Sequence, residues 1–142
     1  MGEFTRDPDH WLLRFSPDEW IRAALGELSR AERAWGQRGD TRSGAAGTKR
    51  AAGMALNGAL IVEPDESWGR TYIEHLEALA VDPRVPEAVR AAGRRVLDAG
   101  VPLAERLVSL RTPRTHEPVI DAARDVIAHA WAVVKRHEAP HD

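Results

Sequence analysis

The feature that most constrains the fold is the spacing of apolar residues, which follows the helical period through most of the chain. The first such segment begins at Ser16-Pro17-Asp18-Glu19, where serine can cap a helix, proline takes the first helical position and glutamate takes the third. Apolar residues then recur every three or four positions as far as Trp35. No window longer than four residues alternates like a strand. The sequence therefore predicts an all-α fold.

Proline, glycine and capping residues divide the chain into five predicted helices. The predicted ranges are 16–36, about 45 or 48 to 62, 68–80 with Ser67 as its cap, 86–98, and about 118–138. Residues 99–116 are predicted to form a loop around one short helical piece at 103–110. We therefore expect an N-terminal arm at 1–15, an up-and-down bundle of about five helices at 16–138, and a C-terminal tail at 139–142.

The second predicted helix is rich in small residues, and Gly53 and Gly58 lie in its interior. Each interior glycine costs a helix roughly 1 kcal/mol relative to alanine. We therefore expect this helix to approach a neighbouring helix closely. Asn57 lies between the two glycines among apolar residues, and we expect its amide to be hydrogen-bonded at the edge of the core.

Composition narrows the classes of function. The chain has 142 residues, enough for one domain with a real core, and its 20 Lys and Arg against 22 Asp and Glu give a net charge of -2. This balance argues against bulk electrostatic binding of nucleic acid or anionic lipid but leaves room for a local basic patch. The absence of cysteine excludes disulfides, thiolate metal sites and a cysteine nucleophile. With no signal-peptide layout at its start and no apolar run of membrane-spanning length, the sequence predicts a cytoplasmic protein without a membrane partner.

The last predicted helix carries ionisable residues at the margins of its polar side. At about 100° per residue, Arg124 and His129 lie about 140° apart, with Ala128 and Ala132 between them. Asp125 precedes His129 by four residues, so its carboxylate can reach the imidazole. This strip has two interpretations: a surface strip with one Asp–His pair, or a contact face against a second copy of the helix. The second would bring two arginines and two histidines together across a two-fold axis. The opposite side of the helix is predicted to be a broad apolar surface that comprises Val119, Ile120, Ala123, Val126, Ile127, Ala130, Trp131, Val133 and Val134.

The segment Arg124-Asp125-Val126-Ile127-Ala128-His129 resembles the signature of the HEPN family of helical domains. That signature is an arginine, a polar residue and a histidine four to six positions after the arginine, on a late helix of a small bundle. The order of helices over residues 16–138 is also similar to HEPN. The resemblance implies metal-independent RNA cleavage in catalytic members, and RNA or nucleotide binding, or scaffolding alone, in others.

The residue types suit this chemistry. An imidazole can exchange a proton with a ribose 2′-hydroxyl near pH 7, and a guanidinium can hold a phosphate through paired hydrogen bonds. We therefore expect Arg124 and His129 to be catalytic, with Asp125 favouring the charged form of His129. The leading hypothesis is an RNA-directed HEPN homodimer, including a toxin-type endoribonuclease with an antitoxin or other protein partner and no cofactor. The alternative is a catalytically inert homodimer that serves as an interaction or scaffold module.

Other patterns in the sequence compete with this motif. The same Arg-to-His spacing recurs at 70–75, 111–116 and 136–141, but Pro113 and Pro140 interrupt the last two. The letters of a zinc-protease motif occur at 137–141, where Pro140 prevents both histidines from sharing one helical face, so we expect no metal site. We expect the acidic turn at 63–66 to be solvated and to cap a helix, and the five tryptophans to anchor the core and the arm.

Overall fold

The structure is a computed structural model that describes residues 14–99 and 116–138. These residues form five helices and a short 3₁₀ helix, and no strand occurs among them. The predicted all-α fold is therefore confirmed. The predicted helical piece at 103–110, most of the arm and the tail at 139–142 lie outside the described residues. The helices are α1 (Pro17–Gly36), α2 (Thr41–Val62), α3 (Tyr72–Val81), α4 (Glu87–Leu97) and α5 (His116–Arg136), and the 3₁₀ helix (Glu66–Trp68) lies between α2 and α3.

The start of α1 is the capping box that the sequence predicts. The Glu19 amide donates to the Ser16 hydroxyl over 3.2 Å, and the Ser16 amide donates to Glu19 Oε1 over 2.8 Å. The two bonds satisfy amides that have no partner within the helix, so they fix where the helix begins.

The structure corrects the predicted start of α3. Ser67 does not cap this helix, because it lies within the 3₁₀ helix, whose cap is Asp65. The cap of α3 is Thr71, whose hydroxyl accepts from the Glu74 amide over 3.1 Å while Glu74 Oε1 accepts from the Thr71 amide over 3.0 Å. The helix therefore begins at Tyr72 rather than at residue 68.

Two other helices begin earlier than predicted. A carboxylate oxygen of Asp40 accepts a hydrogen bond from the Ser43 amide over 3.0 Å, so α2 begins at Thr41 rather than at 45 or 48. The last helix begins at His116, two residues before Pro118. Proline is tolerated there because the backbone amides in the first turn of a helix have no hydrogen-bond acceptor within the helix, so its missing N–H costs no hydrogen bond.

The small residues of α2 do allow close packing, as predicted. A Cβ atom on Gly47 would lie 2.9 Å from the Cβ of Ala31 in α1, and one on Gly58 would lie 2.9 Å from the carbonyl oxygen of Pro17. A Cβ atom on Gly53 would collide with Tyr72 at the start of α3. Much of α2 is buried, and this helix forms the centre of the bundle.

The last helix runs antiparallel to α1. His116 at the start of α5 packs against Trp35 near the end of α1, with 6.0 Å between the ring centroids, and Lys135 near the end of α5 lies 3.5 Å from Asp18. The predicted apolar face is buried with one exception. Trp131 is 49% exposed, with the Lys135 ammonium 5.6 Å from the centre of its ring. Trp131 therefore lies outside the buried face of α5, and the prediction that every tryptophan anchors the core or the arm does not hold for it.

None of the helices in residues 14–99 and 116–138 combines the length and apolar character needed to cross a bilayer.

Candidate functional site

Arg124 lies on the margin of α5 that faces α1. Its guanidinium donates to Asp121 Oδ1 over 3.0 Å and to Glu32 Oε1 over 3.2 Å. The side chain is half exposed. The Glu32 pair therefore links the last helix to α1, whereas the Asp121 pair lies within α5. Exposed ion pairs typically contribute no more than about 1 kcal/mol each.

His129 lies on the opposite margin of α5, half-buried in a cleft. The helical wheel predicts this separation from Arg124, and within one chain the structure does not bring the two side chains together. Asp125 is exposed, and no hydrogen bond or ion pair joins it to His129 among the described residues. The predicted Asp125–His129 pair is therefore absent, because the imidazole is directed toward the cleft.

The cleft has a volume of about 410 Å³ and lies where the end of α2, the 3₁₀ helix, the α3–α4 connection and the second half of α5 meet. A volume of this size is typical of small-ligand sites. Its apolar floor comprises Leu56, Ala59, Leu60, Val85 and Val133. Its polar rim comprises Glu63, Asp65, Trp68, Asp82, Arg84, His129 and Arg136.

Glu63 joins the end of α2 to the end of α5 on one side of this cleft. Its Oε2 atom accepts from Nη2 of Arg136 over 2.6 Å and lies 2.6 Å from Nε2 of His137. Partial burial opposes the charge of Glu63, but the hydrogen bonds from Arg136 and His137 outweigh it and lower the pKa of the carboxyl group. The Arg136 guanidinium is thereby held at the rim beside His129.

Arg84 also lies on the polar rim of the cleft. Its Nη2 atom donates to Asp82 Oδ2 over 2.7 Å and to Asp65 Oδ2 over 2.9 Å. The hydrogen bonds from the Arg84 side chain lower the pKa of Asp82 to about 2. Both carboxylates are therefore charged at neutral pH, and they hold the guanidinium in place.

The environment of His129 favours its neutral form. Burial is the main cause that lowers its pKa, and the positive charge of Arg136 lowers it further, while Glu63 acts in the opposite direction. A half-buried neutral imidazole has a free lone pair on one ring nitrogen, so it can accept a proton. The cleft therefore combines a proton acceptor with an arginine on the same helix.

Arg136 is the residue of this cleft that sequence reasoning missed. It follows His129 by seven residues, two helical turns, so the two side chains share a face of α5. The helical period of the sequence places Arg136 on the polar side of α5 with His129, but the HEPN signature does not include it. The contributions of Glu63 and Arg84 depend on tertiary packing and have no comparable signal in the sequence.

The structure shows where the other candidate residues of the sequence lie. His75, in the repeated spacing at 70–75, is completely buried, and its Nδ1 atom lies 2.8 Å from the Trp68 carbonyl oxygen. Asn57 is also completely buried, and its amide nitrogen and oxygen have no hydrogen-bond partner in the described part of the chain, so its predicted hydrogen bonding was wrong. His137 contacts Glu63, whereas the second histidine of the zinc-protease letters, His141, lies outside the described residues. In the described ranges, no group of three histidine, aspartate or glutamate side chains is placed to hold a metal ion.

No family model, curated protein or solved structure matches this chain.

Proposed function

We propose that the chain is an RNA-directed module of the HEPN type that acts as a homodimer, and that its activity is metal-independent RNA cleavage. The observation that carries the proposal is the half-buried His129, whose lowered pKa leaves a neutral imidazole beside the Arg136 guanidinium. The resemblance of residues 124–129 to the HEPN signature supplies the substrate class.

The chemistry needs only a base and a cation. The imidazole of His129 takes the proton of a ribose 2′-hydroxyl, and the 2′-oxygen attacks the adjacent phosphorus. The bond from phosphorus to the 5′-oxygen breaks, and that oxygen takes the proton from the imidazolium, which returns His129 to its neutral form. The products are a 2′,3′-cyclic phosphate and a 5′-hydroxyl end. A guanidinium stabilises the negative charge on the phosphate oxygens during this step. The proton transfer and the charge stabilisation both come from side chains.

Two arginines are candidates for the phosphate contact. Arg136 shares the cleft with His129 in the same chain, whereas Arg124 lies on the other margin of α5. Arg124 can therefore approach a His129 side chain only across the two-fold axis of a dimer. The exposed Ala128 and Ala132 between the margins leave room for a second helix to approach.

The test is cleavage of single-stranded RNA by purified protein in the presence of EDTA, with identification of the new ends. We expect His129→Ala to reduce the rate by about 100-fold or more, because general bases contribute at least that much. The exposed Arg95 on α4 is a control, and Arg95→Ala should cleave at the wild-type rate. Cleavage retained by folded His129→Ala would contradict the proposal.

Arg124→Ala and Arg136→Ala distinguish a site shared by two subunits from a site within a single chain. Loss of cleavage in Arg124→Ala, with Arg136→Ala active, supports a composite site at a dimer interface. The reverse result assigns the phosphate contact to the cleft of a single chain.

A second candidate function is the inert homodimer that serves as an interaction module. The observation in its favour is that Glu32 and Asp121 already hold the Arg124 guanidinium, away from His129. This candidate expects a folded dimer that cleaves none of a varied set of RNAs.

A further inference from the structure

Trp68 is held beside the cleft by three hydrogen bonds. It ends the 3₁₀ helix, where its amide donates to the Asp65 carbonyl oxygen over 3.1 Å. Its own carbonyl oxygen lies 2.8 Å from Nδ1 of the buried His75. After the hydrogen bonds from Arg84, which are the main cause, a hydrogen bond from the Trp68 side chain also lowers the pKa of Asp82. The indole N–H is the donor of that bond, so the ring is fixed before any ligand enters.

The protein covers only part of the Trp68 ring. The side chain packs against the hydrophobic core, yet Trp68 is half-buried and lines the same cleft as His129. A fixed and partly exposed indole offers an apolar surface on which a planar ring can stack. Stacking of a nucleobase on an aromatic side chain typically strengthens binding by about tenfold or more. Because the ring is already fixed, little of this gain is lost in ordering it.

The charged rim of the cleft has a slight excess of negative charge. Glu63, Asp65 and Asp82 are acidic, whereas Arg84 and Arg136 are basic. Arg136 can contact one phosphate at the rim, but a ligand with several anionic groups would be repelled by the carboxylates. A neutral ring with apolar faces and polar edges fits both the apolar floor and the polar rim. A nucleobase has this character.

Glu63 keeps one carboxylate oxygen available for a ligand. Its Oε2 atom takes the bonds from Arg136 and His137, and no donor within residues 14–99 and 116–138 contacts Oε1. Partial burial opposes the charge of Glu63, but those bonds lower its pKa, so at neutral pH the carboxylate accepts and cannot donate. Cytosine carries an amino group where uracil carries a keto oxygen, so cytosine fits this acceptor better.

We propose that the cleft binds the base of the nucleotide whose 2′-hydroxyl His129 deprotonates, with that base stacked on Trp68 and its exocyclic amino group hydrogen-bonded to Glu63. This inference rests on the proposed function. The base and the 2′-hydroxyl belong to one ribose, so a base in the cleft brings the hydroxyl toward His129, which lines the same cleft. The cleft thereby selects the base on the 5′ side of the cleaved bond, and cytidine is preferred to uridine there.

The first test is cleavage by full-length protein, in EDTA, of a DNA strand that contains one ribonucleotide. This nucleotide supplies the only 2′-hydroxyl, so the base on the 5′ side of the cleaved bond is defined. We expect kcat/KM to be about tenfold higher with cytidine than with uridine at this position, as a hydrogen bond to a charged group allows. Equal values would overturn the contact with Glu63.

Glu63→Gln tests the source of this preference. An amide can accept from the amino group of cytosine or donate to the keto oxygen of uracil, so the ratio of the two kcat/KM values should fall close to 1. Because Glu63 also holds Arg136, the absolute rates can change, but such an effect is common to both substrates and cancels in the ratio. An unchanged ratio in Glu63→Gln would contradict the proposed contact.

A pair of variants separates stacking from the other contact of the Trp68 side chain. Trp68→Phe and Trp68→Leu both lose the hydrogen bond to Asp82, but only phenylalanine keeps an aromatic face. We expect Trp68→Leu to lower kcat/KM about tenfold more than Trp68→Phe does, with urea denaturation showing that both are folded. Equal losses in the two folded variants would assign the effect to Asp82 and overturn stacking.

Binding of cytidine 3′-monophosphate to wild-type protein needs neither cleavage nor a substitution. In an NMR titration, the indole N–H signal of Trp68 should shift, whereas that of the exposed Trp131, which does not line the cleft, should not. Uridine 3′-monophosphate should bind about tenfold more weakly. No shift at Trp68 with either nucleotide would overturn the base site.

The two measurements together distinguish this inference from the proposed function. Cleavage of RNA without a base preference and without a shift at Trp68 would overturn the base site and leave the proposed function intact. A shift at Trp68 in protein that cleaves no RNA would support the base site and contradict the cleavage activity.

Discussion

At the scale of single residues, buried polar groups stabilise the turn region between α2 and α4. The Nδ1 atom of the buried His75 lies 2.8 Å from the carbonyl oxygen of Trp68, which connects α3 to the 3₁₀ helix. Burial is the main cause that lowers the pKa of His75, so the imidazole is neutral at pH 7. Arg84 connects the same region through Asp65 and Asp82. A histidine that matches a motif spacing therefore has a structural role here.

The Asp82 carboxylate gives a prediction about acid stability. Its pKa of about 2 in the folded chain is lower than the ordinary 3.8, so folding favours the charged form. The stabilisation is fully present above about pH 4 and is lost as the pH falls through about 2. We expect Asp82→Asn to lower the free energy of unfolding by about 1 kcal/mol at pH 7, since Arg84 is largely exposed and its bonds are screened by water.

Urea denaturation followed by circular dichroism at several pH values checks this prediction. The stabilities of wild type and Asp82→Asn should converge as the pH approaches 2. Asp98→Asn, at an exposed position after α4, is the control and should stay close to wild type. A constant difference between wild type and Asp82→Asn from pH 7 to pH 2 would show that the charge of Asp82 is not the cause.

At the scale of elements, the helix starts were predictable where a single cap was available. The capping box at Ser16 was identified because proline and glutamate follow at the required positions. Two candidate caps, Ser67 and Thr71, compete before α3, and the sequence alone favoured the wrong one. The choice depends on Gly69, whose φ of 76° turns the chain between the 3₁₀ helix and α3. The local spacing of apolar residues predicted that α3 exists, whereas the turn at Gly69 determines the residue at which it begins.

The glycines of α2 give a prediction that separates packing from helix propensity. A methyl group on Gly53 would collide with Tyr72, so Gly53→Ala should destabilise the fold by about 1–3 kcal/mol, as overpacking does. Gly26 in α1 is the matched control, because the nearest atom to an added Cβ is an Arg30 side-chain nitrogen at 3.9 Å. Gly26→Ala should stabilise the fold by about 0.5–1 kcal/mol.

Thermal and urea denaturation of the two variants beside wild type measures both effects. The expected changes have opposite signs although the substitution is the same. A stabilising Gly53→Ala would mean that α2 and α3 can separate without loss, contrary to the close packing described here. Loss of stability in Gly26→Ala would indicate a contact that the open space around an added Cβ atom does not reveal.

At the scale of the whole molecule, the sequence predicted less of the candidate site than of the fold. The helical wheel placed Arg124 and His129 on opposite margins of α5, and the structure agrees. The helical wheel could not reveal that the two margins of α5 face different helices. Arg124 lies beside α1, and His129 lies beside the end of α2. The cleft joins residues as distant in sequence as Glu63 and Arg136, so its existence depends on tertiary packing.

The exposed side of α5 has the character of a contact surface. Ala128, Trp131 and Ala132 are exposed along its length, and Leu25 on the adjoining α1 is 49% exposed. Asp121 and Lys135, of opposite charge, lie toward the two ends of this side of α5. An apolar centre with a charged rim is typical of protein interfaces, and a two-fold axis would place the same surface on both subunits.

The proposed homodimer predicts the effect of a charge at the centre of this surface. Ala132→Glu would place two carboxylates close together across the two-fold axis, and like charges in an interface cost several kcal/mol. We therefore expect the dissociation constant to rise by about 100-fold or more, and sedimentation velocity at tens of micromolar protein to change from dimer to monomer. Helicity should not change, because residue 132 is exposed within the chain.

Ala91→Glu is the matched control, since it adds the same charge at an exposed alanine on α4. This variant should sediment as wild type does, because α4 is not part of the proposed interface. If Ala91→Glu dissociates the dimer and Ala132→Glu does not, the interface involves α4 instead. Wild-type protein that sediments as a monomer at tens of micromolar would exclude a composite site, and any cleavage of RNA would then depend on His129 and Arg136 within a single chain.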